Sequence, residues 1–313
     1  MRSGTEGSLT RSTSAVLATV LASLLWGSSF SVIKIGLRTI DPYWFVFLRF
    51  SIAAALALVY LWSIGRLGKA LALARHPLVI WLGVANAVGF IFQFKGQTLT
   101  TAVNAALIIN SCTIYVAIVS KFVFGERFGP PKLLGVALGI LGVYLVTTGG
   151  RLTVAFGESV RGDLIVLGGA LAWTAFIVLD KKVVELLDVD VRSLTGAMVL
   201  LTALSSLPAA VIFGRGEFPG VSPELWTIPY TSVFCTILPF FLWTWGLKAI
   251  SATTSSVVML SEVVFALVIA ALLLGERLTA GGFAGSALIV VAILLASREP
   301  AVKTATGPDV VPE

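Results

Sequence analysis

Charge is what this chain has least of. Of its 313 residues only 12% are Asp, Glu, Lys or Arg, against about 25% in an ordinary soluble domain. That is too little polar surface to coat a globule in water, so a soluble fold is excluded for most of the length. Histidine is nearly absent: His76 stands alone, beside Pro77 in a polar connector. His-based catalysis and His-ligated metals are therefore not expected, and no catalytic or metal-binding set is assigned. Cysteine is as sparse. Cys112 and Cys235 both lie within apolar runs and fit neither a disulfide framework nor a metal pattern. No nucleotide-binding motif occurs, so no cofactor is expected and ATP is not a direct energy source. The formal net charge is +6, but the basic residues stand singly, which argues against a nucleic-acid partner.

What fills the chain instead is apolar: 57% of the residues, with a mean hydropathy of +0.98. A membrane span needs about 20 mostly apolar residues. Ten stretches qualify: 14–33, 44–64, 78–97, 101–124, 130–148, 163–179, 193–213, 225–247, 252–274 and 279–297. Backbone polar groups in hydrocarbon must pair within their own segment, and the period-2 alternation of a barrel strand is missing. The expected fold is therefore all-α, a polytopic membrane protein of ten transmembrane helices. The polar ends, 1–13 and 298–313, are expected to be unstructured tails. The first apolar stretch is not expected to be a cleaved leader, because its Trp26–Lys34 spacing recurs internally as Trp173–Lys181.

The chain also repeats itself. A slide of 150 residues, without a gap, lays Gly275-Glu276-Arg277 on Gly125-Glu126-Arg127, Ser261 on Ser111, Gly285 on Gly135 and Gly246 on Gly96. The halves are 14–150 and 151–297, each with five spans. Five is odd, so the second half enters the membrane from the opposite side, an inverted repeat of the kind that builds transporters. With the N-terminus inside, fourteen Lys and Arg fall on the cytoplasmic side and seven outside, Arg49 being left within a span. The positive-inside rule then places both termini in the cytoplasm of a multi-pass cell-membrane protein.

Trp26-Gly27-Ser28-Ser29-Phe30, Leu48-Arg49-Phe50 and the duplicated Gly-Glu-Arg ahead of a Gly-rich helix resemble the drug/metabolite transporter superfamily, and within it the ten-helix EamA-type exporters. The resemblance covers 14–297. It implies alternating-access export or permeation of small metabolites, often amino acids and their relatives, through a cavity lined by the first, third and fourth helices of each half. The family often carries a proline after the ninth-helix Glu. This chain has Val263 there, and Thr113 at the matching place in the first half.

Several intramembrane polar residues are candidates for the substrate site. Glu262 lies near the middle of 252–274, where a charged side chain costs about 2.5–3.5 kcal/mol on insertion scales. It suits proton coupling or a substrate ammonium; the alternative is a carboxyl hydrogen-bonded between helices. Ser255 lies two turns earlier on the same face. Asn86 and Gln93 share a helical face with Gln97, with Phe90 between, and suggest a hydrated wall or interhelical bonds. Asn104 and Asn110 add amides in the fourth span. Trp26 and Trp173 are repeat mates inside their spans, with packing as the competing reading for both, and Trp243, the mate of Gln93, supplies an aromatic wall. Arg49 is expected to snorkel or bond helix carbonyls, Asp180 and Lys181 to be interfacial, and Gly-Glu-Arg to be an anchoring turn at the headgroups.

The function expected from these residues is a secondary transporter that exports or exchanges small neutral or zwitterionic metabolites, with protons exchanged at Glu262. Its partners are the small-molecule substrate, the lipid bilayer and protons, and it acts as a monomer or homodimer. Two alternatives stand beside it. One is a nucleotide-sugar or sugar-phosphate exchanger of the same superfamily, which would want a central Lys or Arg for phosphate. The other is a non-transporting membrane receptor or assembly factor.

Overall fold

The computed structural model describes residues 2–100, 108–126, 129–150, 160–187, 189–214, 222–274 and 279–297. Twelve helices are named among them: α1 (Arg2–Gly36), α2 (Pro42–Ser63), α3 (Leu67–Leu73), α4 (Pro77–Gln97), α5 (Cys112–Val123), α6 (Pro130–Thr148), α7 (Val160–Leu186), α8 (Val191–Phe213), α9 (Pro223–Leu247), α10 (Ala252–Met259), α11 (Ser261–Leu274) and α12 (Ala280–Ala296). Eight described helical stretches are long and apolar enough to cross a membrane; Ile108–Val123 and Ala280–Ala296 are shorter apolar helices. Asn104 and the second Gly-Glu-Arg lie outside the described residues.

The starts of several helices are written locally. α2, α4 and α6 each open on a proline, whose missing N–H is no loss in a first turn. Asp41 caps α2, accepting from the Tyr43 and Trp44 amides at 2.9 and 3.4 Å. Ser251 caps α10 through the Thr254 amide at 3.1 Å. One expectation fails. Residues 2–13, read as an unstructured tail, continue α1. They contain no proline and adjoin an apolar helix, so they extend it without a new nucleation step.

Helices pack in six principal pairs: α6 on α12, α4 on both α7 and α8, α2 on α8, and α1 on both α9 and α11. The connectors gather at two ends. Arg66 meets Asp190 at 2.7 Å, Lys132 meets Ser251 at 3.1 Å and Lys181 bonds the Leu247 carbonyl at 2.8 Å, all at one end. Thr39 meets Glu224 at 3.1 Å, and Thr100 hydrogen-bonds Asp163, at the other.

Two charged clusters differ from expectation. Glu126, of the first Gly-Glu-Arg, is not an exposed anchor. Its carboxylate takes Lys132 at 2.9 Å and the Ala252 amide at 3.1 Å, and the Lys132 side chain is 1% exposed. The loop after α5 therefore clasps the N-terminus of α10, where an anion is favoured by the free amides and the helix dipole. Asp180 and Lys181 are also buried rather than interfacial. Asp180 accepts from Thr244 at 2.9 Å, and Lys181 pairs with Glu185 at 3.1 Å.

Candidate functional site

The site begins with a proline. Pro239 sits in the first turn of the last segment of α9 and has no N–H, so the carbonyl four residues back, Cys235, loses its helical donor. The helix widens into a π-turn over Val233–Ile237 as it passes this point, a local irregularity that often marks functional sites. The released Cys235 carbonyl does not go begging. Trp26 of α1 donates its indole N–H to it at 3.2 Å, and Arg49 of α2 donates Nη2 to it. Arg49 Nε also reaches Thr236 Oγ1 at 2.7 Å, and the Arg49 carbonyl accepts from Ser232. Arg49 thus neither snorkels nor faces lipid. It is 1% exposed and ties the first half of the chain to the second.

A second irregularity lies opposite. The helix Ile108–Val123 is interrupted at Ser111, and the stretch 252–274 is interrupted at Leu260. These are repeat positions, one residue apart. In each, a serine hydroxyl turns back on the carbonyl three residues earlier: Ser111 on Ile108 at 2.6 Å, and Ser261 on Val258 at 2.8 Å. Such back-bonding competes with the helical ladder and bends helices. It occurs here without the proline that the family resemblance led one to look for. α11 then starts at Ser261, with Glu262 in its first turn, about 15 Å along from Ala252. That is half the thickness of a hydrocarbon core. Gly27 of α1 lies so close that an added Cβ would stand 2.8 Å from the Glu262 carbonyl oxygen. Only a glycine fits there without movement.

Pairwise contacts link these elements in a closed circuit. The Arg49 guanidinium carbon stands 4.7 Å from the Phe90 ring centre, within cation–π range. Phe90 meets Trp173 edge-on at 4.8 Å, and Trp173 donates its indole N–H to Gln93 at 3.1 Å. Gly169, one turn before Trp173, lies against both the Gln93 amide nitrogen and Ile109. Asn110, Ser111 and Cys112 follow Ile109, and Cys112 and Arg49 are both within Coulombic reach of Glu262. Gln93, Asn110, Cys112, Trp173 and Glu262 are all half-buried. Among the described residues, no side chain hydrogen-bonds the Glu262 carboxylate.

Other candidates lie elsewhere. Asn86 is fully buried and donates to Thr202 of α8 at 3.0 Å. Ser255 and Trp243 are both fully buried and bond each other at 2.7 Å, while Trp243 stacks on Phe176 at 5.3 Å. Trp26 packs against Phe240 at 5.3 Å and against Trp243 at 6.3 Å, so the side chains of Trp26, Trp243 and Ser255 are held in packing and that of Asn86 in a bond between α4 and α8. Arg49, expected to snorkel or to bond helix carbonyls, does the second, across to α9.

Comparison with known proteins agrees with this architecture. A family model described as the EamA-like transporter family matches residues 13–148 and again residues 160–298. An Archaeoglobus fulgidus protein described as an uncharacterized transporter is 29% identical over 263 residues, covering 83% of this chain and 89% of its own. An Escherichia coli K12 protein described as a probable amino-acid metabolite efflux pump is 27% identical over 296 residues, covering 88% of this chain and 92% of its own. A solved crystal structure shares the fold with a TM-score of 0.78, over 91% of this chain and 96% of its own, at 21% identity.

Proposed function

Since the chain belongs to the EamA-like transporter family, we propose that it is a secondary transporter that exports or exchanges small neutral or zwitterionic metabolites, amino acids and their relatives among them, by alternating access. One observation carries this reading: two helices from different halves are interrupted at repeat-related places, Ser111 and Leu260, each beside a serine that bonds back to its own helix, with an unbonded carboxylate, Glu262, just after the second break. Discontinuous helices meeting at the midplane are how many carriers build a site that can be opened from either side.

The reading includes ten spans in two inverted five-helix halves, and three further findings support it. The family model matches once in each half. The contacts between helices exchange under the repeat: α1 on α9 corresponds to α7 on α4, while α2 on α8 and α6 on α12 map onto themselves. Within α6 and α12 the correspondence reaches single residues. A Cβ on Gly142 would meet the Gly285 carbonyl at 2.7 Å, and one on Gly135 would meet the Ala292 carbonyl at 3.0 Å. The 150-residue slide turns the first contact into the second. An interface that is its own mate gives two rocked arrangements of near-equal energy.

In this reading the end that holds Arg66, Lys132 and Lys181 faces the cytoplasm of a cell membrane, with both termini on that side. The clasp of Lys132 and Glu126 on α10 then closes the inner gate. The name of the E. coli relative supports efflux of amino-acid metabolites. Protons exchanged at Glu262 supply the driving force. The test is counterflow in proteoliposomes loaded in turn with amino acids, nucleosides and organic cations. Saturable, protein-dependent exchange of the amino acids is expected. No flux of any solute, together with a stable protein partner, would make the chain a receptor or assembly factor instead.

A further inference from the structure

The clasp at the cytoplasmic end is built around a lysine that the other half of the chain lacks. Lys132 of α6 donates to Glu126 at 2.9 Å and to the Ser251 hydroxyl at 3.1 Å. Ser251 donates in turn to Thr254 at 2.9 Å, and Thr254 to the Ala296 carbonyl at the end of α12 at 3.1 Å. Glu126 also holds the Ala252 amide at 3.1 Å. The loop after α5 and the start of α6, from the first half, are thus tied to the start of α10 and the end of α12, from the second. The 150-residue slide carries the acid to the opposite end as Glu276, but it puts Gly282 where Lys132 stands. Gly282 is buried, with its amide on the Thr279 hydroxyl at 3.0 Å. Residues 249–297 contain no lysine, and their one arginine, Arg277, has a mate in Arg127. Just inside the clasp, two hydroxyls are idle. Ser120 of α5, whose carbonyl accepts from the Glu126 amide at 3.4 Å, and Thr253 of α10, next to Ala252, are fully buried, and neither hydroxyl oxygen has a partner. A buried hydroxyl without a partner is unfavourable, and water would satisfy both if α5 and α10 parted. The seam is therefore held shut by charge at its rim and opposed by dry hydroxyls behind it.

We propose that the clasp is a one-sided lock: Lys132 biases the empty carrier toward the arrangement closed to the cytoplasm, and the seam between α5 and α10 opens there only when the pair of Lys132 and Glu126 parts. The proposal rests on the transporter reading above and adds the direction in which its cycle is biased. In a carrier whose halves matched at every residue, the two closed arrangements would have equal energy. A charge-assisted pair present at one end alone breaks that equality. The parted charges regain water as the seam opens, so the bias is moderate, and a substrate that binds the open arrangement better overcomes it. Opening to the cytoplasm is then the slow step of efflux.

The experiment reads the seam by cysteine reactivity in the full chain, in nanodiscs without substrate, with Cys112 and Cys235 replaced by serine. Thr253→Cys is the reporter; the Thr253 hydroxyl has no partner, so its replacement breaks no bond. A soluble maleimide is expected to react slowly while the clasp is intact. With Lys132→Met and Glu126→Gln added together, the rate is expected to rise about tenfold or more, the worth of one charge-assisted hydrogen bond. The double change removes the pair without stranding a buried charge. Ser206→Cys, fully buried in α8, reports unfolding and is expected to stay unreactive in both backgrounds. An unchanged rate at Thr253→Cys, a fast rate with the clasp intact, or an equal rise at Ser206→Cys overturns the proposal. Counterflow on the same preparations keeps the two readings apart. Flux without the change in reactivity leaves the transporter and removes the lock; no flux of any solute overturns the transporter reading, and the proposal with it.

Discussion

Trp26 and Arg49, from two different helices, donate to one backbone carbonyl, that of Cys235. The carbonyl is available because Pro239 cannot donate to it. Three distant pieces of chain, α1, α2 and α9, are thus joined at a single oxygen. Pro239→Ala restores a donor inside the helix and makes it compete with both side chains. The variant is expected to remain folded, since alanine suits a helix better than proline. Transport is expected to fall by about tenfold or more as Arg49 shifts. Flux and thermal unfolding measured on the same preparation check this; unchanged flux would detach the carbonyl from function.

The clasp at the other end gives a second expectation. Lys132 and Glu126 form a buried ion pair that also holds the start of α10 through Ser251 and Ala252. Removing one partner leaves an uncompensated buried charge, so Lys132→Met is expected to destabilise the protein by about 3–5 kcal/mol. Adding Glu126→Gln removes the stranded charge and is expected to recover much of that loss. A double-mutant cycle on detergent-solubilised protein measures it. Independent, additive losses would show that the two groups do not act as a pair.

Asp190 supplies a pH-dependent term. Burial pushes its carboxyl up, but the hydrogen bond and charge of Arg66, with the Ser193 hydroxyl and amide, outweigh burial and hold it below the ordinary carboxylate value. It also caps α8, accepting from the Ser193 amide at 3.1 Å. A carboxyl depressed in the folded state stabilises above its unfolded pKa of about 4 and loses that contribution as pH falls through the folded value. Asp190→Ala is expected to cost about 0.5–2 kcal/mol at neutral pH. The gap in thermal midpoint between it and wild type should narrow between about pH 5 and about pH 3. A gap independent of pH would assign the whole effect to packing.

Topology has its own test. In a variant lacking Cys112 and Cys235, a single cysteine within 66–77 is expected to resist an impermeant thiol reagent in intact cells, and one within 214–220 to react. The reverse pattern would invert the orientation.

Much of the fold was legible in the sequence because lipid imposes a simple demand: each span must be long, apolar and internally hydrogen-bonded. α2, α4, α6, α8, α9 and α12 follow the apolar runs closely, whereas α3 lies in a connector, α7 runs on to Leu186 and the stretch 252–274 is divided at Leu260. The first turns of α1 did not, since the mostly polar residues 2–13 carry no sign that a helix behind them will extend. Within the site, periodicity showed which residues share a helical face but not which neighbour that face meets. Asn86 and Gln93 are two turns apart on α4, yet one bonds Thr202 and the other Trp173. Pro239 was legible as a bend. That its freed carbonyl would be claimed by Arg49, 186 residues away, was not. Ser111 and Ser261 turn back on their own helices at the interruptions by hydroxyl bonding, which no proline-based signal reveals.

The account stands or falls on proton-coupled carriage through Glu262, and one measurement addresses it directly: uptake of a labelled amino acid into proteoliposomes with and without an imposed pH gradient, wild type beside Glu262→Gln. Wild type is expected to accumulate substrate against its concentration when the gradient is present. The variant is expected to lose that accumulation and keep downhill exchange. Identical pH dependence in the two proteins, or flux in neither, would contradict it.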